Sequence, residues 1–396
     1  MILNYIHADN RRERFSLDLD VSVSENWLYI DSKNKFEFIK RFLPAFNSFQ
    51  KIILFDPNHK QLLEFYKNNR IENFERFDEV NDKAQLLFFT SGSSGFPVGA
   101  FKTRENLLQE IQELKALFIE YSIKRVVVTV PFVHIYGVLA GLLLPMSLGD
   151  VELVVKEDFL PYELLKEAEE EGTLVVTTPV FIKALGKLEG KSLSRSVFIS
   201  STGPLQSDDV SLFETKYDTK LIQLFGSTET GGIAYKIGTD KMWNALPSVQ
   251  ITTQEDKLSV SSPFISQYIV SEGKIELLSD PFTTEDIIDL KNNRFELIGR
   301  GNKIIKIAGK RISATYIENI LETIEGVEQA VVELVYKKEL LRSEQILIKL
   351  EAKTKIDKQI IKAKIVENFG VLTIPFRVEY VDKITRSAMG KKIIFS

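Results

Sequence analysis

The chain has no cysteine in its 396 residues, which excludes disulfides, thiolate zinc sites, iron–sulfur clusters and a cysteine nucleophile. Histidine is almost as scarce, occurring only as His7, His59 and His134. A metal site built from several imidazoles is therefore disfavoured, and a Ser-His-Asp hydrolase would have to draw on one of these three. An excess of one charge is also lacking: 51 Lys and Arg face 55 Asp and Glu, a net charge of −4. Bulk charge gives no attraction to nucleic acid or to an anionic membrane, so neither is expected as a partner. The first residues, Met1 to Asp9, lack a basic start, an apolar core and a small-residue cleavage site; no secretion signal is expected, and the location expected is cytoplasmic. Long hydrophobic runs are missing too. The most apolar stretch, Gly137 to Met146, is too short to span a bilayer and is stopped by Pro145 and then Gly149-Asp150, so a buried helix is expected there and no membrane span.

What is present is enough chain for two or three domains. From Ala84 to Phe225, short β-branched runs alternate with helical periods, the pattern of a parallel sheet covered by helices. The spacing predicts strands at Gln85–Phe89, Arg125–Val130, Val151–Val155, Thr173–Thr177, Ser196–Ser200 and Lys220–Phe225. Between the first two, Leu107, Leu108, Ile111, Leu114, Leu117 and Phe118 recur at helical spacing behind Thr103, a good N-cap. Weaker alternation at Lys51–Phe55 and Gln61–Lys67 suggests a smaller preceding lobe. Gln250 to Val270 changes to short alternating strands, as in a small barrel or antiparallel sheet. Beyond Gly299-Arg300 the pattern reads as a compact α+β domain, with helices near Ala314–Ile324 and Asp357–Phe369 and strands near Val327–Val335, Ile346–Leu350 and Phe376–Val381. The expected fold is thus α/β: an amino-terminal domain of helix-covered sheets with a small barrel-like region over 1–299, and a small mobile α+β domain over 301–396.

Four segments carry chemistry. Thr90-Ser-Gly-Ser-Ser-Gly-Phe-Pro-Val-Gly99 follows an apolar strand; its glycines let backbone N–H groups converge and its hydroxyls add donors, so it can wrap a polyphosphate. It lacks the Gly-Lys-Ser/Thr ending of the common nucleotide-hydrolase loop, and a plain Gly/Ser linker is the competing reading. Leu224-Phe-Gly-Ser-Thr-Glu-Thr-Gly-Gly232 brings an aromatic that can stack on a base, hydroxyls for phosphate and a carboxylate for Mg²⁺ into one short turn. Thr283-Thr-Glu-Asp286 with Gly299-Arg300 offers a carboxylate and a guanidinium for ribose or phosphate. Ser387-Ala-Met-Gly-Lys391 presents a lysine on a glycine turn. Each of the last two alone is also what a charged turn looks like.

In this order and spacing the segments resemble the adenylate-forming superfamily of acyl- and aryl-CoA synthetases, nonribosomal-peptide adenylation domains and luciferases. The likeness runs from about Gln85 to the carboxyl terminus and takes in Pro131-Phe-Val-His-Ile-Tyr-Gly137, Ser200-Ser-Thr-Gly-Pro-Leu205 and the hinge-like Gly299-Arg-Gly-Asn302. It implies an ATP-dependent acid-thiol ligase that makes an acyl-adenylate with release of pyrophosphate, then passes the acyl group to CoA or to the phosphopantetheine of an acyl carrier protein. It also implies roles. Thr90, Ser91, Gly92, Ser93, Ser94 and Gly95 would hold phosphates, with Thr228. Glu229, with Thr90, would hold Mg²⁺; Thr202, Gly203, Phe225 and Gly226 would hold the adenine side, and Asp286 and Arg300 the ribose. His134, Tyr136, Ser201, Leu224 and Ser227 would line the acid pocket, favouring a small or aromatic acid. Asn302 would be the hinge and Lys391 the catalytic lysine, with Lys392 beside it.

Three departures stand out. Val98 occupies the place of a phosphate-loop lysine, with Lys102 the nearest replacement; Phe225 replaces a tyrosine; and Asn302 replaces the usual aspartate or lysine. The chain is also short before the phosphate loop and between Glu229 and Asp286. A degenerate nucleotide-binding regulatory protein is the alternative these features raise. The basic run Arg300, Lys303, Lys306, Lys310 and Arg311 has no interleaved aromatic residue, which favours a hinge and solvated face over an RNA-binding stripe.

Overall fold

The computed structural model describes residues 2–15, 27–31, 34–56, 80, 84–90, 98–271, 274–300, 304–307, 310–336, 344–369, 375–386 and 392–393. They fall into two compact units, one formed by Met1–Gln250 and Val260–Phe282, the other by Ile251–Ser259, Thr283–Ser387 and Lys391–Ser396.

In the first unit six parallel strands lie in the order Lys220–Ser227, Val197–Ser200, Thr173–Thr177, Arg125–Val128, Glu152–Lys156 and Ile2–Ile6. Antiparallel strands extend the sheet, Gly231–Ile237 and Met242–Ala245 at one end and Arg12–Phe15 at the other. Both faces are covered, which is why these strands read as unbroken apolar runs. Val126, Val128, Leu153, Val155, Val176 and Ile199 join one core, while the alternate residues Val127, Val154, Val175, Phe198 and Leu221 join another. The second core is closed by the helices Pro161–Ala168, Pro179–Gly186 and Ser207–Tyr217, through Leu164, Ile182 and Phe213 among others.

A second sheet runs Lys274–Leu277, Tyr268–Ser271, Val98–Thr103, Ala84–Thr90, Ile52–Phe55 and Leu28–Asp31. The helices Lys35–Asn47, Arg104–Leu117 and the segment from Ile135 to Leu148 share a core with residues of both sheets. Thr103 caps the second of these as its sequence requires: its hydroxyl accepts from Asn106 N–H at 3.0 Å, and Asn106 returns the bond to Thr103 N–H at 2.9 Å. Leu107, Ile111 and Leu114 are buried, whereas Leu108 turns outward. The apolar helix is not stopped by Pro145. One wide turn at Leu139–Leu143 is followed by a last segment, Leu144–Leu148, in which Pro145 sits at the start, where a missing N–H costs little. Gly149, at φ +92°, ends it. No helix among the described residues is long and apolar enough to cross a membrane. The segment Gln61–Lys67 lies outside the described residues.

The second unit opens with the strands Gln250–Gln254, Lys257–Ser261, Phe282–Lys291 and Arg294–Arg300, in that order across a sheet. The strands after Gln250 are antiparallel, as expected, yet they do not make a group of their own: Tyr268–Ser271 pairs instead with Val98–Thr103 of the first unit's second sheet. The unit also takes in Thr283–Gly299, assigned from sequence to the amino-terminal domain, because that hairpin is tied to its neighbours by Lys257–Glu285 at 2.8 Å and by Ile288 N–H to Asp256 O at 3.1 Å. Beyond it, helices Ala314–Leu321 and Lys358–Phe369 cover a sheet of Val327–Tyr336, Glu344–Ala352 and Phe376–Tyr380 around Ile305, Ile317, Ile348 and Ile365. The α+β pattern expected of this stretch is thereby present.

Candidate active site

The strands Ala84–Thr90 and Val98–Thr103 form an antiparallel hairpin in which Thr90 stands opposite Val98 and Phe89 opposite Gly99. The hydroxyl- and glycine-rich segment is therefore the connection of a hairpin with both ends held by pairing. Ser91, Gly92, Ser93, Ser94 and Gly95 lie outside the described residues, as does the side chain of Thr90. Lys102, on the same strand as Val98, does not replace a phosphate-loop lysine. It is fully buried, and its ammonium donates to the carbonyl of Glu229 at 3.0 Å and to that of Phe264.

Three connections leave the parallel sheet at one edge, the carboxyl ends of its strands, where ligands bind in open α/β sheets. After Val128 comes the segment to His134; after Val197–Ser200 comes Ser201 to Leu205; and the strand Lys220–Ser227 carries Leu224, Phe225 and Gly226 to the turn with Thr228 and Glu229. Ser201 Oγ donates to Leu224 O at 3.1 Å, joining two of these connections. Thr202 has φ +82°, a conformation a β-branched residue adopts only under constraint. The ring of Phe225 packs on Trp243 at 5.4 Å between centroids, and Lys236 Nζ lies over the Trp243 ring, 4.8 Å from its centroid. His134 occupies the residue before the helix Ile135–Val138 without capping it.

Tyr136 departs from its expected place in the acid pocket. Its ring is in the core, and its hydroxyl lies 2.9 Å from Ile199 O and 3.1 Å from Thr177 O. Burial raises the phenol's pKa far above the ordinary tyrosine range. The helical period that puts Tyr136 one turn before Ala140 sends it under the sheet edge, where the strand carbonyls engage it.

The turn that carries Glu229 is held by its own hydroxyls and from beneath. Ser227 N–H donates to Thr230 Oγ1 at 3.1 Å, and Thr230 N–H to Ser227 Oγ at 3.2 Å. Glu229 O accepts from Ser266 N–H at 2.8 Å as well as from Lys102. Glu110, on the helix Arg104–Leu117, accepts from Gly232 N–H at 2.7 Å. Gly231 is at φ +72°, and a Cβ there would stand 2.6 Å from Glu110 Oε2, so only glycine fits. Burial pushes the Glu110 carboxyl up and the Lys102 ammonium down, each opposed by the other's charge. Among the described residues no cluster of three or more His, Asp or Glu gathers. A single carboxylate on a turn nonetheless fits Mg²⁺, which keeps most of its waters and takes its remaining ligands from phosphates.

Asp286 and Arg300 lie on the second unit, opposite each other across the hairpin, with Arg300 Nε donating to Asp286 Oδ1 at 3.2 Å. Asp286 is buried, and its backbone N–H donates to Thr284 Oγ1 at 3.1 Å, which fixes the strand there. Burial raises its pKa, and Arg300 works against that rise. Lys392 is engaged by Glu318 at 3.1 Å, Glu322 at 2.6 Å and Ala330 O at 2.7 Å, so it is no substitute for Lys391. Lys391 and Asn302 lie outside the described residues. Lys102 as a main-chain anchor, Glu110 and Trp243 were not legible as site residues: their partners are up to 162 positions away, and no local pattern marks such pairs.

The family model described as AMP-binding enzyme matches residues 32–263. The chain is 26% identical over 257 residues to a 4-coumarate--CoA ligase of Cereibacter sphaeroides, an alignment covering 64% of this chain and 58% of that protein. The chain thus spans less than two thirds of that relative's length. It is 21% identical over 328 residues to a putative long chain fatty acid-CoA ligase, VraA, of Staphylococcus epidermidis, covering 79% of this chain and 71% of that one. In fold it is similar to ATP-bound MatB from Rhodopseudomonas palustris, with a TM-score of 0.79, 15% identity, and 99% and 94% of the two chains covered.

Proposed function

The chain belongs to the AMP-binding enzyme family, within the adenylate-forming superfamily, and on that premise we propose that it activates a carboxylic acid with ATP and transfers the acyl group to a thiol. In the first step an acid oxygen attacks the α-phosphorus, the bond to pyrophosphate breaks, and an acyl-adenylate forms. In the second the sulfur of the acceptor attacks the acyl carbon, AMP leaves, and the thiol proton passes to solvent. The nucleophiles belong to the substrates, so the protein supplies position and charge, which agrees with a chain poor in histidine and free of cysteine.

The observation that carries this reading is the convergence at one sheet edge of Ser201–Gly203, Phe225 and the Glu229 turn, within the stretch matched by the family model. Phe225, backed by Trp243, stacks adenine; Thr202 and Gly203 complete that side; Thr228 and the 90–95 segment bind phosphates. Glu229 holds Mg²⁺, which when bound neutralises the triphosphate. Asp286 and Arg300 hold the ribose, Lys391 acts at the attacked phosphate, and the domain that carries it turns about Asn302 between the two steps. His134, Ser201, Leu224 and Ser227 face the acid, a small or aromatic one. The acceptor is CoA, a choice supported by relatives named as CoA ligases. Acid-dependent exchange of pyrophosphate into ATP, over a panel of aryl and alkyl acids, tests the reading. Exchange with at least one acid is expected; nucleotide binding without exchange for any acid would favour the regulatory alternative.

A further inference from the structure

A buried lysine and a buried glutamate sit where apolar side chains would pack as well. Lys102 is in the strand that leaves the phosphate-loop hairpin, and Glu110 in the helix that follows it. Their hydrogen bonds go to main-chain atoms of other segments: Lys102 to the carbonyls of Glu229 and Phe264, Glu110 to the N–H of Gly232. The turn at Glu229 itself and the strand that leaves it at Gly232 are therefore gripped from the interior by one strand–helix unit. Gly231 leaves no room for that turn to shift toward Glu110, since an added Cβ would already meet its carboxylate. Replacing a buried charged pair by apolar groups is often neutral or stabilising, so fold stability alone gives little reason for these charges to be here.

We propose that Lys102 and Glu110 are positioning residues that fix the main chain of the Glu229 turn for magnesium–nucleotide, and that couple this turn to the strand leaving the phosphate loop. The proposal rests on the assignment of Glu229 to Mg²⁺ made above. It predicts a defect in the part of nucleotide affinity that depends on Mg²⁺, which a purely structural pair would leave intact in the folded protein. Neither residue touches the nucleotide; each acts through the position of Glu229.

Calorimetry on the full chain, with ATP in the presence of Mg²⁺ and again in EDTA, measures the Mg²⁺-dependent gain in affinity directly and needs no turnover. Lys102→Met is expected to reduce that gain at least about tenfold, the loss of one bond to a charged group, with affinity in EDTA changed by less than about threefold. Glu110→Gln keeps the acceptor for Gly232 N–H and removes only the charge, so a smaller loss of the same kind is expected. If Lys102→Met does not fold, the double variant Lys102→Met/Glu110→Met removes both charges together, and it should fold yet show the same loss. A folded single or double variant with the wild-type Mg²⁺ gain overturns the positioning role. So does an equal loss of affinity with and without Mg²⁺, or failure of both methionine variants to fold while Glu110→Gln keeps the full gain. Wild-type protein whose ATP affinity does not respond to Mg²⁺ overturns the assignment of Glu229 itself, a different result from any of these.

Discussion

Replacing Tyr136 by phenylalanine removes one oxygen and leaves the ring in the core. The hydroxyl lies within hydrogen-bond distance of Ile199 O and Thr177 O, at 2.9 and 3.1 Å, and has no exposure to water to fall back on. The lost bond is worth about 0.5–1.5 kcal/mol net, and a strand carbonyl left short of its donor adds about 1–3 kcal/mol. Because the two terms overlap, about 1–3 kcal/mol is expected in all. For a unit of this size that is a fall in Tm of roughly 2–10 °C. Thermal and urea unfolding of the purified variant measure it, and steady-state exchange kinetics on the same preparation supply the control. KM for the acid should stay within about twofold of wild type, since a residue that only braces the sheet edge contributes no differential binding. An unchanged Tm together with a raised KM for the acid would refute the reasoning and return Tyr136 to the substrate pocket.

Glu229→Gln should abolish pyrophosphate exchange at saturating Mg²⁺ while leaving the unfolding transition in place, because the amide keeps the shape and loses the charge; wild-type exchange in this variant would remove Glu229 from the metal site. Asp286 has a pKa raised in the folded state above its ordinary value of 3.8, so the folded chain holds that proton to higher pH than the unfolded one, and stability from this group falls as pH rises through the window just above that value. Asp286→Asn should flatten the second unit's stability in that window and leave it no less stable at neutral pH, while discrimination against 2′-deoxy-ATP is lost; stability that rises through the window would show the opposite shift. Lys392→Met leaves Glu318 and Glu322 without their shared cation and should destabilise the second unit by about 3–5 kcal/mol, seen as an earlier unfolding transition. Lys391→Ala should lose exchange by orders of magnitude yet convert supplied acyl-adenylate to thioester near the wild-type rate; equal impairment of both steps would contradict alternation of the domain.

Much of the fold was legible because its signals are local. Both faces of the main sheet are covered, so Arg125–Val128 and Thr173–Thr177 announce themselves as apolar runs, and Thr103 with Asn106 fixes a helix start within four residues. Non-local choices were not legible. Ile2–Ile6 resembles any short apolar run until Glu152–Lys156 is known to lie beside it. The strand Tyr268–Ser271 could not be assigned to the sheet of Val98–Thr103 from alternation alone. Among site residues, motif order located Phe225 and the Glu229 turn, but the same motif put Tyr136 in a pocket when its hydroxyl is committed to strand carbonyls. Lys102 was singled out for its charge and misplaced for the same reason: charge suggests a surface partner, and only the packed structure supplies buried carbonyls to satisfy it.

The pairing of Ile2 with Glu152 also bears on how the chain comes together during synthesis. The amino-terminal strand has its parallel neighbour 150 residues later, which at about 5–20 residues per second is a delay of roughly 8–30 s on the ribosome. The strand Leu28–Asp31 meets Ile52–Phe55 far sooner. The second sheet can therefore begin to assemble while Ile2–Ile6, paired with Arg12–Phe15 on one side only, still has its apolar face and its other edge open to other chains. Contact order thus makes Ile2–Phe15 slow to be secured, and that segment is where a slow ribosome or a missing holdase would show as aggregation.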